Sequence, residues 1–520
     1  MKIDSKVSQR QHATSSLSEH AQLLCARAKE REEAGEFEEA RLALSEFWQR
    51  IGEQPRLEGL DERTQGEVLL RVGTLSGWIG SARQIPGAQE LAKDLITRST
   101  TVFESLGLNE LVAETRVDLA ICYWREGAIE EARITLQAVL EQLEQGELRE
   151  SEQRLRALLN LGIVEAVSNR HKVALQIHTQ AAPLFGRSSN HALRGKFHLE
   201  FASLLNRIGL ADTQGDYTDR ALIEYAAASF HFEQAGQKRA LAVVENNLGF
   251  LFVHLGRFDS AHEHLDRARS LFTAIGDKGR LAQVDDTRAS ALIAQGQFSK
   301  AEKLARASVQ ALEDSDGLSL LAEALTTHGT ALARLGNFSK ARVALETAIR
   351  TAHNAGDAGS EGVAALSLAE ELANHLPYAE LLAYYRMAEA ELVDSHNPDI
   401  QRRLGKCARL LLTTQSLLAS EDGSLVASRS VGTSDSQLSP ERVEATTSSV
   451  EASLEEQVLR YEAGLIKRAL ETAEGSVTRA ARLLGVTHQG LAFILNGRQK
   501  DLLPSRKPAK PRRRSIIRYH

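Results

Sequence analysis

Three stretches of the chain repeat one order of small, apolar and polar positions: GRFDSAHEHLDRA, GQFSKAEKLARAS and GNFSKARVALETA. Their alanines, Ala261, Ala301 and Ala341, stand 40 residues apart. Looser copies precede them in GEFEEARLAL, GAIEEARITL, NRHKVALQIH and GDYTDRALIEY, at Ala40, Ala132, Ala174 and Ala221. A glycine lies five positions before the alanine (Gly35, Gly127, Gly256, Gly296, Gly336) and a small residue twelve before it (Ala120, Gly162, Gly249, Ala289, Gly329). Seven after it comes Ala181, Ala228, Ala268 or Ala348, with Ser308 in the copy around Ala301. Phe37, Ile129, Phe258, Phe298 and Phe338 stand three before it. The spacing predicts two helices that cross closely at their small residues, joined at the glycine and plugged by the apolar residue. One such hairpin cannot bury its own apolar face, so neighbours must stack into an array.

The interval from Ala40 to Ala132 predicts a diverged copy around residues 75–105, and IGLADTQGDY lengthens the step from Ala174 to Ala221. After Ala341 the pattern decays through HLPYAELLAYYRMAEAEL, and residues 391–415 read as a closing helix. The array resembles the tetratricopeptide repeat family over residues 18–415, with a step longer than that family's usual 34. The resemblance implies a concave, helix-lined surface that holds a protein or peptide ligand. By register, Asn246, Asp286, Thr326 and Thr330 face that groove. Asn160 and Asn247 share one repeat position and read as capping or inter-helix hydrogen bonders.

The pattern changes at both ends. Residues 1–17 are polar and read as a disordered N-terminus. Residues 416–452 hold 13 Ser and Thr in 37 positions and no helical stripe, so they read as a flexible linker. Beyond them, Leu454, Val458, Leu459, Leu465, Ile466, Ala469 and Leu470 return to helical spacing over 453–473. Gly475 breaks that helix and Ser476 caps VTRAARLLG, which Gly485 ends. THQGLAFILNG follows, capped by Thr487 and closed by Gly497. Ala480 and Ala481 permit a close crossing, while Leu484, Val486, Leu491 and Ile494 supply a small core. That is a helix-turn-helix pattern, whose second helix enters the DNA major groove. The segment, residues 453–498, resembles the Fis-type helix-turn-helix of bacterial regulators. The resemblance implies a dimer formed through the 454–473 helix and a pseudo-palindromic DNA site.

On the second helix the outward positions are His488, Gln489, Ala492, Phe493 and Asn496. Gln489 and Asn496 are suited to adenine, Phe493 to a thymine methyl, and His488 to a base edge or phosphate. Phe493 reads equally as part of a dimer or domain core. Thr478, Arg479 and Thr487, near helix N-termini, suit phosphates. A basic tail, residues 499–520, follows. Over 498–520 nine cations oppose Asp501, among them Arg498, Lys500, Arg512, Arg513 and Arg514, and three prolines favour an extended arm. Residues 453–520 carry a formal charge of +8 against −14 for the rest.

The remaining composition narrows the class. Cys25, Cys122 and Cys407 form no CxxC pair, which argues against a zinc or disulfide framework and for a reducing compartment. The sequence shows neither a secretion signal nor a membrane span. The sequence contains no GxxxxGK[ST], HExxH, GxSxG or kinase signature, and His254, His262 and His264 read as solvated rather than metal-binding. The expectation is a cytoplasmic, all-α protein without enzymatic activity, cofactor or metal: a tetratricopeptide-like helical-hairpin solenoid followed by a small DNA-binding helix-turn-helix domain. It would regulate transcription by binding double-stranded DNA. The alternative is an adaptor held on nucleic acid non-specifically by its basic end.

Overall fold

The motif alanines explain the architecture. Ala40, Ala132, Ala174, Ala221, Ala261, Ala301 and Ala341 are all fully buried. The computed structural model describes residues 2–413 except 84, 146–147, 212–215, 314–316, 394, 396 and 398, together with 463, 466–473, 475–483, 491 and 495. Contacts divide the chain into two units, Met1–Ser430 and Val431–His520. Among the described residues the secondary structure is helical, with no strand.

The first unit is a series of helical hairpins. They are α1 (Lys2–Glu33) with α2 (Phe37–Ala43), α3 (Glu62–Ala82) with α4 (Ala88–Ser105), and α5 (Asn109–Glu126) with α6 (Ile129–Glu144). Next come α7 (Glu152–Val167) with α8 (His171–Arg187), α9 (His191–Ala211) with α10 (Tyr217–Gln234), and α11 (Lys238–His254) with α12 (Phe258–Ile275). The last are α13 (Lys278–Ala294) with α14 (Phe298–Leu312), α15 (Leu318–Arg334) with α16 (Phe338–Asn354), and α17 (Ala358–Glu371) with α18 (Tyr378–Leu392). Helix α19 (399–413) closes the series. It starts later than the 391–415 reading because the chain breaks after α18, where Asn397 Oδ1 accepts from the Asp399 N–H at 2.9 Å.

Where a glycine stands five before the motif alanine it takes a left-handed backbone, as at Gly256 with φ 67°, and Asn169 before Ala174 does the same at φ 58°. There the Gly256 N–H reaches Val253 O at 3.0 Å and the Arg257 N–H reaches Phe252 O at 2.9 Å, which ends the helix without orphan carbonyls. The small residue twelve before the alanine marks the crossing. A Cβ on Gly329 would stand 2.6 Å from Leu345 Cγ, and one on Gly249 2.6 Å from Leu265 Cδ2. The second helix of each hairpin buries one stripe, Ala261, Leu265, Ala268 and Phe272 in α12. Burying a side chain such as Phe272 stabilises by roughly 1.5–3 kcal/mol relative to exposure.

The diverged copy between Ala40 and Ala132 is the α3–α4 hairpin. Its alanine is Ala92, fully buried, with Gly87 (φ 75°) five before, Gly80 twelve before and buried Ser99 seven after. Gln89 takes the aromatic position and donates to Gly77 O at 2.8 Å. The polar stretch 1–17 differs from the disordered reading, since α1 is helical from Lys2. It contains no Pro or Gly to stop a helix already nucleated by the packed residues downstream.

In the second unit, α20 (466–472) leads through Gly475 (φ 76°) into α21 (Val477–Leu483). Ile466, Ala469, Leu470, Ala473, Ala480, Ala481, Leu491 and Leu495 form its core, with Val477 against it.

Candidate functional site

Two concave sites lie in the repeat unit. The first is a cleft of about 400 Å³ whose lining includes Asn246, Asp286 and Thr326. They recur 40 residues apart on α11, α13 and α15, so one repeat position becomes a polar ladder. Asn246 Oδ1 and Asp286 Oδ1 are buried without a hydrogen-bond partner. Burial pushes the Asp286 carboxyl up to about 7, against the Thr327 hydroxyl that favours its ionised form and with the Glu323 carboxylate that opposes it. Thr326 Oγ1 donates to Ala322 O at 2.8 Å within its own helix. The fourth predicted residue, Thr330, does not line the cleft. It is half-buried and donates to Thr326 O at 2.9 Å, because a hydroxyl one helical turn on satisfies itself on the backbone. Asn247 and Phe250 line the cleft without having been predicted to, and Asn247 also bonds the Tyr225 hydroxyl.

The second site is a cavity of about 340 Å³ walled by the first helices of successive hairpins, α3, α5, α7, α9 and α11, with the end of α1 against it. The chain curls back here: Gln237 Nε2 donates to Glu33 O at 3.3 Å, and Arg156 pairs with the Glu33 carboxylate. Behind the cavity, buried Arg71 bridges Glu32 at 2.8 Å, Glu114 at 2.5 Å and Asp118 at 3.5 Å. Burial pushes Glu32 up to about 7, whereas Arg71 and Lys29 outweigh burial at Glu114 and hold it down at about 2. Asn160 lines this cavity and donates to Arg156 O at 2.8 Å.

The histidines that could suggest a metal have other partners. His264 Nδ1 meets Glu245 at 2.7 Å, His262 Nε2 meets Gln295 at 3.2 Å, and His254 sits edge-on to Phe250. Among the described residues no group of three or more potential ligands is placed to hold a metal. Nor is any described helix long and apolar enough to cross a membrane.

In the second unit Ala480 and Ala481 are buried at the crossing, and Leu491 packs against them within the core. Leu495, one turn beyond Leu491, joins that core and was not predicted; Leu484, Val486 and Ile494 lie outside the described residues. The Arg479 N–H reaches Ser476 Oγ at 3.5 Å, a long cap, and the Arg479 side chain is exposed. Thr478 falls in α21, its side chain outside the described residues. Thr487, His488, Gln489, Phe493, Asn496, Arg498, Lys500, Arg512, Arg513 and Arg514 also lie outside them, as does the 416–452 linker.

Comparison with known proteins matches the same two regions. Residues 111–187 and 240–314 match the tetratricopeptide repeat, and residues 460–492 match the bacterial regulatory protein, Fis family. The chain thus carries tetratricopeptide repeats and, near its other end, a segment matching the Fis-type helix-turn-helix. The repeat match omits 188–239, where the lengthened step falls, and the first 110 residues, where the α3–α4 copy has diverged. No curated protein matches the chain. Similar solved structures include BtubC from P. vanneervenii, with 16% identity, a TM-score of 0.37, and 44% of this chain and 92% of that one covered. Another is the signal transduction ATPase with a tetratricopeptide repeat sensor from Pyrococcus horikoshii, at 13%, 0.45, 72% and 55%. Yeast Tom70 stands at 15%, 0.42, 80% and 88%. The two family matches fall one in each unit, the repeats in the first and the Fis-family segment in the second.

Proposed function

We propose that this protein is a cytoplasmic, sequence-specific DNA-binding regulator whose solenoid receives a protein or peptide ligand, and that it acts by binding rather than catalysis. The observation that supports the reading most is the second unit's core: a glycine turn, two alanines at a crossing, and Leu491 and Leu495 packed against them. That arrangement is what a helix-turn-helix needs to present its second helix. The 454–473 helix would pair two copies, and the basic tail would track phosphates. In the solenoid, the cleft of Asn246, Asp286 and Thr326 offers unpaired buried oxygens to the N–H groups of a bound chain. Ligand in that cleft would alter dimerisation or access to the DNA module through the linker.

Selection from random duplexes by the full chain at about 0.15 M salt, where weak non-specific binding is screened, tests the reading. Enrichment of a two-fold motif is expected. Gln489→Ala should then relax preference by about 1–3 kcal/mol at one base pair, while removal of residues 506–518 should weaken all DNA alike. Absence of any motif, with binding that vanishes as salt rises, would instead fit the adaptor.

A further inference from the structure

The cavity walled by α3, α5, α7, α9 and α11 contains one cation and one carboxylate that form no ion pair or hydrogen bond with the described residues. Pairing the charges around it leaves little free. Glu32 is held by Arg71, Glu33 by Arg156, and Arg239 by Asp277 at 2.7 Å. Arg156 is also held by Glu152 at 3.2 Å. Lys196 and Glu200 remain, one turn apart on α9, both lining the cavity and neither in an ion pair or hydrogen bond with a described residue. Their order is the weaker one for an intrahelical pair, with the lysine N-terminal to the glutamate. The surrounding protein pushes the Lys196 ammonium down and the Glu200 carboxyl up, while Lys196 stays exposed to the cavity and Glu200 half-buried, so an occupant can reach both.

Apart from Asn160, Asn190 and Gln237, each of which donates to a protein oxygen, the remaining wall is largely apolar. Trp78 has its ring faces occupied by Phe37, stacked at 4.9 Å, and by the Arg125 guanidinium at 4.0 Å. Trp124, Leu159, Ile163 and Leu199 are left to meet an occupant. The volume, about 340 Å³, lies at the low end of the roughly 300–1,000 Å³ that ligand pockets span, which suits a small molecule rather than a helix or folded domain.

We propose that this cavity binds a small zwitterion with an apolar body, its carboxylate on Lys196 Nζ and its ammonium on Glu200. A free amino acid and a peptide of two or three residues share that chemistry. The site has no lining residue in common with the cleft of Asn246, Asp286 and Thr326, and stands whether or not a partner occupies that cleft.

Calorimetric titration of the full chain tests it with L-phenylalanine, L-leucine, the dipeptide Phe-Phe, N-acetyl-L-phenylalanine and L-phenylalaninamide. Saturable binding of at least one zwitterion is expected, with both capped forms of phenylalanine at least about tenfold weaker than the free amino acid where that binds. Tighter binding of Phe-Phe than of either amino acid would identify a peptide as the occupant; the reverse order would identify an amino acid. Glu200→Gln should abolish discrimination against the acetylated form, and Lys196→Met discrimination against the amide, while Lys196→Arg retains it. Both side chains stand in the cavity rather than the core, and unchanged far-UV circular dichroism checks that the variants fold. The proposal is overturned by no saturable binding of any zwitterion up to about 10 mM, or by equal affinity for free and capped phenylalanine in the wild-type chain. Discrimination that survives both variants overturns it as well.

Discussion

The two halves of the solenoid are built differently. From α11 to α16 the repeats follow one 40-residue step, and the buried residues of α12, α14 and α16 are almost all apolar or alanine. From α1 to α9 the steps are uneven, and the interior holds Arg71, Glu114, Asp118, Arg133, Glu165 and His178. The regular half is held by contacts between neighbours, so each repeat is a nearly equivalent unit. The irregular half has contacts that skip repeats, such as Arg156 with Glu33, and it encloses a cavity. Regularity here accompanies an apolar packing stripe with a polar cleft along one repeat position, and departures from it accompany ion clusters that tie distant repeats together.

The chain carries its own probe for this contrast. All three tryptophans, Trp48, Trp78 and Trp124, lie in the irregular half, so their fluorescence reports that half while circular dichroism reports both. Arg71→Ala should have the largest effect. It leaves Glu32 and buried Asp118 without an ion-pair partner among the described residues and Glu114 with Lys29 alone, and removing one partner of a buried ion pair typically costs about 3–5 kcal/mol. The fluorescence transition in urea should move further than the dichroism transition; equal movement would mean the halves unfold as one.

The second test uses acid. His231 is buried with His191 Nδ1 at 2.9 Å, His198 stacked on its ring and Arg194 nearby, while His198 itself is paired with Glu224 at 2.6 Å. Burial first, then Arg194 and the two histidines, pushes its pKa down to about 4. An unfolded histidine takes up its proton near pH 6.5, so this contribution to stability is complete above about 6.5 and is lost as pH falls toward 4. The full loss is about 3 kcal/mol, and His231→Gln should remove that part of the acid dependence. An unchanged pH profile would sink the assignment.

Gly329→Val addresses the regular half. Its Cβ would stand 2.6 Å from Leu345 Cγ, and overpacking of this kind costs roughly 1–3 kcal/mol. Here dichroism should shift and fluorescence should not. Ser308→Ala is the smallest test. The hydroxyl is buried but bonds only its own helix, at Leu304 O 3.2 Å away, and alanine restores the repeat's usual residue. A change beyond about 0.5 kcal/mol would show that the position is not equivalent to its counterparts.

How much of this was legible in the sequence follows the same contrast. The hairpins with Phe258, Phe298 and Phe338 could be read at once, because small and apolar residues in close packing leave a periodic trace. The α3–α4 hairpin kept Gly80, Gly87 and Ala92 but put Gln89 where an aromatic was expected, and so was seen only as an interval to be filled. Positive-φ glycines also occur between hairpins, at Gly236, Gly276 and Gly356, each twenty residues from one noted in the sequence. The Arg71 cluster left no trace at all, since its members come from helices whose separation in sequence follows no rule. In the candidate cleft, register placed Asn246, Asp286 and Thr326 on one wall, but could not foresee that Thr330 turns to its own backbone. In the second unit, Leu491 was read as core, while Leu495 was passed over in favour of Ile494, because adjacent apolar residues at the end of a short helix leave the buried face ambiguous.

The bond from Gln237 to Glu33 also bears on biosynthesis. Its partners are 204 residues apart, so at about 5–20 residues per second the ribosome delivers the second roughly 10–40 s after the first. Until α11 emerges, the end of α1 lacks one of its mates, and the charges around Glu33 remain open to water. Each later hairpin, by contrast, finds its neighbour already waiting as it leaves the exit tunnel. The N-terminal half is therefore the part of the nascent chain that stays unfinished longest, although it is made first.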